Sequence, residues 1–501
     1  MVYIKREVDE LITKWFDENE KNALMIFGAR QVGKTESIRS FIRNKFEIDN
    51  DDLLPEINIV INQEARDIIL NNRVMGQYSL IESLFIQVKP QIDLENSKVL
   101  FIDEIQALSN LKREKSDPVI IKAIKSILKD NKYKIIFSGS MLGTKLFNLD
   151  NANNELSKDI QFVHMFPLTF MEFIEFLDGN KKAILEAKSS FSLNKVLEVD
   201  MHTHLLKRLA EFSYVGGMPV AVLTYSEGFD ANKSHESILN LIDGYKEDIS
   251  KYYREEYDEE GVKDFVFDYL LDGFNHQDKQ KYMKRLNEQE RRKFYNFIAY
   301  SDVGLVVPHI DEINQKIEIQ KSPKTYFNDV GLLRCLENRK AINLNHMKEA
   351  LISTIETGKK NTNLDNNGKY FEQLIAQELK ARNFEYAYFY SKLNSNELEF
   401  IIDAANTKTA LEIKSGDFHD FKSIKNYVLS GNSGLLSSIY PYLGEYETNL
   451  NFIPLYDLCF LNEADLCNHK FEKLNNLCSI VIDSGRLPNN IGFFNNEEKV
   501  N

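Results

Sequence analysis

The stretch ALMIFGARQVGKTESIRSFI, residues 23–42, constrains this chain more than any other. An apolar run with strand character is followed by a glycine-bearing loop and then by an amphipathic helical pattern, the order a phosphate-binding loop requires. Gly28, Ala29, Arg30, Gln31, Val32, Gly33, Lys34 and Thr35 match G-x-x-x-x-G-K-[ST]. In such a loop the backbone N–H groups surround the phosphates, the lysine reaches the β and γ oxygens, and the hydroxyl ligates a magnesium ion. Glu36 follows at the start of the helix, so residues 28–36 form the expected nucleotide-binding segment.

A second apolar strand, KVLFIDEIQAL, ends in acid. Asp103 at its end would bind magnesium through water, and Glu104 beside it would polarise an attacking water. A helix-capping pair is the competing reading. A third strand, YKIIFSGSMLG, ends in Ser138 and Ser140, hydroxyls at the level of a γ-phosphate sensor, although small polar residues at a strand end are also turn material. ALMIFG, INIVIN, VLFIDE, KIIFSGS and QFVHMF alternate with helical patterns. That alternation predicts a parallel α/β sheet with nucleotide at its carboxyl edge.

The motifs GARQVGKT, FIDEIQ and FSGSMLG, followed by FPLTFMEF and YVGGMPVAV, resemble the AAA-type ATPases of bacteria and archaea that carry a conserved carboxyl-terminal domain of uncharacterised role. The resemblance implies ATP rather than GTP, with Mg2+ held by Thr35 and Asp103 and with Lys34 and Glu104 as catalytic residues. The absence of an N-K-x-D guanine-reading motif points the same way. Where many relatives have a Gly-Arg or Pro-Val-Gly-Lys step, this chain has ELSKDIQFVHMFPL, and no arginine finger is assigned. A site of this type completed by a neighbouring subunit fits a homo-oligomer.

Beyond the sheet, TFMEFIEFL, HTHLLKRLAEFSYV and ESILNLIDGYKEDISKYY read as helices and resemble an ATPase lid. His202 and His204 lie on different helix faces, as surface histidines and not one metal site. Helices and then a strand, a charged turn and a strand follow, an order expected of a winged helix, and KTYFNDVGLLRCL resembles a signature of the family's second half. Residues 279–293 carry seven basic residues against two acidic. They make either a phosphate-contacting surface for DNA or RNA or a solvated helix face. After the polar linker TGKKNTNLDNNG, GKYFEQLIAQELKARNF is an amphipathic helix with Phe371, Leu374, Ile375 and Leu379 on one side.

NELEFIIDAANTKTALEIKSG, residues 396–416, then reads as two strands around a polar turn. Glu397, Glu399 and Asp403 share one parity, and Glu412 and Lys414 share a face. A helical acid, an acidic strand and an E-x-K strand in that order resemble the PD-(D/E)XK nuclease fold. The resemblance gives Glu372, Glu399, Glu412 and Lys414 the site positions and implies a second divalent metal. Relatives usually have Asp where this chain has Glu399, so three readings remain open: an active nuclease, a scaffold that binds nucleic acid or a protein partner without cutting, and an ordinary cross-face ion pair on a half-exposed sheet.

The expected fold class is α/β: a parallel-sheet P-loop NTPase core (1–165), a helical lid (166–250), a winged-helix-like domain (251–340), a helix and linker (341–368), and a restriction-endonuclease-like α/β domain (369–490). A chain of 501 residues has room for roughly three to four domains. Its net charge of −14 argues against a generally basic nucleic-acid coat. Cys335, Cys459, Cys467 and Cys478 match no disulfide framework or zinc pattern, and Cys467 with His469 reads as ordinary core or surface. MVYIKREVDELITKWF lacks an uncharged apolar segment, and no later stretch is long enough to span a bilayer, so a cytoplasmic protein without a membrane partner is expected.

Overall fold

A computed structural model describes residues 2–18, 23–46, 99–103, 134–140, 159–179, 197, 199–253, 266–271, 287–310, 323–337, 343–357, 367–384, 387–391, 397–404, 407–414, 433–438, 444–447 and 450–460. The chain divides into two compact units, Met1–Phe166 with Tyr300–Asp302, and Pro167–Ala299 with Val303–Asn501.

In the first unit, α1 (Glu7–Glu18) and α2 (Lys34–Phe46) accompany the strands β1 (Ala23–Phe27), β2 (Val99–Ile102), β3 (Lys134–Gly139) and β4 (Ile160–His164). The sheet order is β2-β3-β1-β4, and all three pairings are parallel. Ala23, Leu24, Met25 and Ile26 are fully buried, as the continuous apolar run of a central parallel strand requires. Register sets Phe27 against Gly139 on one side and His164 on the other, so the carboxyl ends of β1, β3 and β4 share one edge. The α/β parallel-sheet expectation is met; the expected strand INIVIN lies outside the described residues.

The second unit begins with α3 (Phe170–Asp178), α4 (Val199–Val215), α5 (Pro219–Ser226) and α6 (Ala231–Tyr253). It continues through α7 (Glu288–Tyr300), β5 (Gly304–Val307), β6 (His309–Ile310), β7 (Lys324–Phe327), α8 (Val330–Glu337) and α9 (Leu344–Thr357). β5 and β7 form a two-stranded antiparallel pair. The last part runs α10 (Asn367–Ala381), β8 (Ala387–Ser391), β9 (Glu397–Ala404), β10 (Thr407–Lys414), β11 (Ser433–Ser438), β12 (Gly444–Glu447), β13 (Leu450–Pro454) and α11 (Leu455–Leu458). Its mixed sheet has the order β12-β13-β11-β10-β9-β8-β6.

One buried joint gives physical content to YVGGMP and NDVGLLR. Gly216, with φ +75°, ends α4 so close to the start of α8 that a Cβ there would lie 2.4 Å from Asp329 Oδ1. Gly217 N–H donates to Asp329 Oδ2 at 2.6 Å, and Leu332 N–H donates to Oδ1 at 3.1 Å. Five residues on, the buried Arg334 guanidinium lies against the rings of Tyr214 and Tyr370, 3.9 and 3.2 Å from their centroids, and donates to Ser213 O.

Candidate nucleotide site

The loop between β1 and α2 is built from residues that tolerate its backbone. Gly33 has φ +104° and Gln31 has φ +61°, so a left-handed conformation is imposed even on a residue with a side chain. Gly28 has room for no Cβ, since one would lie 2.1 Å from Met165 O. Its N–H donates to Gly139 O at 3.2 Å, and Met165 N–H donates to Phe27 O, so the loop's entry is fixed from both neighbouring strands.

Lys34, the first residue of α2, is buried, and its ammonium donates to the carbonyls of Gly28 and Ala29 at 2.9 and 2.7 Å. Arg30 and Gln31 stand exposed at the loop tip, and Glu36 pairs with Arg39 at 3.0 Å. Thr35 Oγ1 donates to Asp103 Oδ2 at 3.0 Å, joining two residues that lie far apart in the chain. Ser138 donates its hydroxyl to Asp103 Oδ1, so both carboxylate oxygens accept from hydroxyls. A hydroxyl beside a carboxylate at a sheet's carboxyl edge is a hard-oxygen donor set of the kind Mg2+ takes. Ser140 follows β3 at a half-buried position, and Glu104 lies outside the described residues.

Two residues here escaped the sequence reading. Arg6 is buried and donates to Val32 O and Phe166 O, each at 2.7 Å. Nothing in VYIKREVDE distinguishes it from the exposed charges around it. His164 stacks on Phe27 with centroids 4.6 Å apart, and its Nε2 lies 2.9 Å from Asp302 Oδ1. Only the fold brings position 302 there.

The carboxyl-terminal residues are arranged differently. Leu411 of β10 pairs with Phe400 of β9, and the same register continued by one residue sets Glu412 against Glu399. Glu412 is buried and Glu399 half-buried; the side chain of Lys414 lies outside the described set. Glu372, on α10, accepts from Lys324 Nζ at 2.8 Å and Tyr326 Oη at 2.7 Å, both on the same oxygen. Among the described residues no three His, Cys, Asp or Glu are grouped so as to hold a metal. The exposed end of the basic run is a helix surface, where Arg292 pairs with Glu288 at 3.0 Å; residues 279–286 lie outside the described set. His204 pairs with Asp178, whereas His202 is not a surface residue: it is buried, with Nδ1 2.7 Å from Tyr456 Oη. No helix among the described residues is long and apolar enough to cross a membrane.

A central parallel strand leading into a glycine loop, with the next helix's first hydroxyl tied to the acid at the end of β2, two strands away in the sheet, defines a P-loop nucleotide-binding domain. Residues 20–174 match the family described as an AAA domain. Residues 206–343 and 367–458 match two further families, the domains of unknown function DUF8612 and DUF4143. Among solved structures, the chain is similar to a Walker-type ATPase of Pyrococcus abyssi, at 13% identity over 67% of this chain and 96% of that one, with a TM-score of 0.39. It is also similar to the ORC2 protein of Aeropyrum pernix, at 11% identity over 70% and 96%, with a TM-score of 0.31. A third similar structure is the Pif1 helicase of Candida albicans, at 13% identity over 42% and 48%, with a TM-score of 0.21. No curated protein matches the chain.

Proposed function

We propose that this chain is an ATP-hydrolysing switch or motor whose carboxyl-terminal domain recognises nucleic acid or a protein partner without cutting it. The observation that carries the reading is the 3.0 Å hydrogen bond from Thr35 to Asp103, which joins the phosphate loop to an acid at the end of a parallel strand. Mg2+ held by Thr35 and Asp103 would supply positive charge to the β and γ phosphates. Lys34 exchanges its two loop carbonyls for phosphate oxygens, which satisfy the ammonium more strongly than neutral acceptors. Ser138 holds Asp103 in orientation, and Glu104 takes the proton of the attacking water.

The scaffold reading of the carboxyl domain is supported by Glu372, whose carboxylate is engaged by Lys324 and Tyr326. A cutting site would need that carboxylate on a metal ion together with Glu399 and Glu412.

Nucleotide binding and turnover test the reading together. Lys34→Ala is expected to lose ATP binding, and Glu104→Gln to retain it while hydrolysing at least about 100-fold more slowly. Wild-type turnover in Glu104→Gln would remove the catalytic assignment.

A further inference from the structure

We infer that Arg6 is a positioning residue of the phosphate-binding loop, holding the Val32–Gly33 peptide in the orientation that turns the Gly33 N–H toward the phosphates. The inference rests on the ATPase reading and adds a residue to it. Arg6 is only 5% exposed, and its two terminal nitrogens each donate at 2.7 Å, Nη1 to Val32 O and Nη2 to Phe166 O. Its own N–H donates to Asp9 Oδ2 at 2.9 Å, so the segment that carries the guanidinium is itself pinned.

The geometry of a trans peptide makes the first of these contacts consequential. The carbonyl of one residue and the N–H of the next point in opposite directions across a rigid plane. A cation holding Val32 O from outside therefore aims the Gly33 N–H to the other side, into the loop's concave face, where an anion is bound by converging N–H groups. This peptide needs such a restraint more than most. Gly33 sits at φ +104°, glycine occupies both signs of φ, and a flip of the plane would turn a donor out and a carbonyl in. A charged donor makes a stronger bond to a carbonyl than a neutral one, and a forked guanidinium can hold two carbonyls at fixed separation where an ammonium cannot. The second carbonyl belongs to Phe166, the last residue of the first unit's long segment, so the loop and the exit of β4 share one anchor.

Without Arg6, a bound nucleotide would have to impose the loop geometry itself, and the cost would appear in affinity and not in turnover. The test uses the full-length chain. ATP hydrolysis and binding of a fluorescent ATP analogue are measured for wild type, Arg6→Gln, Arg6→Lys and Lys34→Ala, with the melting temperature of each nucleotide-free protein. Arg6→Gln is expected to raise KM for ATP at least about tenfold while kcat changes less than KM, and Arg6→Lys to fall between it and wild type. A purely architectural role would lower the melting temperature and leave KM alone, and that outcome overturns the inference. Should Arg6→Gln not fold, Arg6→Lys carries the test, and a wild-type KM there overturns it equally. Wild-type protein binding ATP no better than Lys34→Ala would instead overturn the ATPase reading, and the Arg6 assignment with it.

Discussion

His202 and Asp329 are both buried, yet burial acts on them in opposite directions because one is charged when protonated and the other when deprotonated. Burial alone pushes His202 down to about 4, from an ordinary 6.5. For Asp329, burial outweighs the donors Gly217, Leu332 and Gly331 and pushes the carboxyl up to about 6, from 3.8. The unfolded chain protonates His202 first, so that residue's contribution is complete above pH 6.5 and is lost as pH falls toward 4. The folded chain protonates Asp329 first, so its contribution is complete below pH 3.8 and is lost as pH rises through 6. Each shift corresponds to about 3 kcal/mol, and over the shared window they oppose. Relative to wild type, the stability deficit of His202→Gln should therefore grow from pH 4 to 6.5, while that of Asp329→Asn should shrink from pH 4 to 6. Denaturant midpoints at several pH values check this, and deficits that do not change with pH would contradict it. Residues of this kind are hard to read from sequence. The partner that buries His202, Tyr456, lies 254 positions away, and nothing in HTHLLKRL announces it.

At the scale of elements, local pattern is legible and long-range satisfaction is not. The apolar stripe of α10, Phe371, Leu374, Ile375 and Leu379, is buried as its spacing requires. The hairpin β9–β10 also falls within the two strands its alternation describes. Yet Gln373, Gln377 and Glu378 on the same helix are buried too, against a reading that assigns polar residues to solvent. They satisfy backbone elsewhere. Gln373 Oε1 accepts from Phe327 N at 2.8 Å and its Nε2 donates to Phe327 O at 2.5 Å, so one side-chain amide pairs the end of β7 as another strand would. Gln377 accepts from Val330 N at 2.9 Å and Glu378 from Phe170 N at 2.8 Å, the first residue of a helix whose cap is the reciprocal Thr169–Glu172 box. Gln373→Leu keeps the volume but leaves a buried N–H and a buried C=O without their partner, at a cost of about 2–4 kcal/mol. Gln373→Glu, at a pH low enough to keep the new carboxyl neutral, retains a C=O acceptor for Phe327 N and an O–H donor for Phe327 O, so it should cost less there than Gln373→Leu, and more once the carboxyl ionises and loses the donor. Chemical denaturation of the three proteins orders them, and equal midpoints would mean the amide does not act as a strand surrogate.

For the molecule as a whole, the question is whether chemistry resides in one unit or two. The phosphate-loop motif was readable because its residues are contiguous and their spacing is set by the ligand they surround. The carboxyl-terminal acids come from separate elements, so a correct order along the chain does not ensure their convergence. Glu372 lies on the helix its pattern describes, and its carboxylate accepts from an ammonium and a phenol of β7, with both members of the ion pair mostly buried, a pairing that the pattern does not announce. Recruiting this carboxylate to a metal ion would break two bonds to a charged acceptor, at about 1.5–3 kcal/mol each, and leave Lys324 without this partner. Native protein with Mg2+ or Mn2+ is therefore expected to leave DNA and RNA intact. Glu372→Gln should register as a loss of stability of about 1–3 kcal/mol with ATP turnover unchanged, because the ion pair becomes a contact between the Lys324 ammonium and a neutral amide. Gel analysis of nucleic-acid substrates, ATPase rates and denaturation curves on native protein, Glu372→Gln and Glu412→Ala separate the cases. Metal-dependent cleavage by native protein that disappears in both Glu372→Gln and Glu412→Ala would assign hydrolytic chemistry to the second unit as well. An intact substrate with a destabilised Glu372→Gln would confine it to the first.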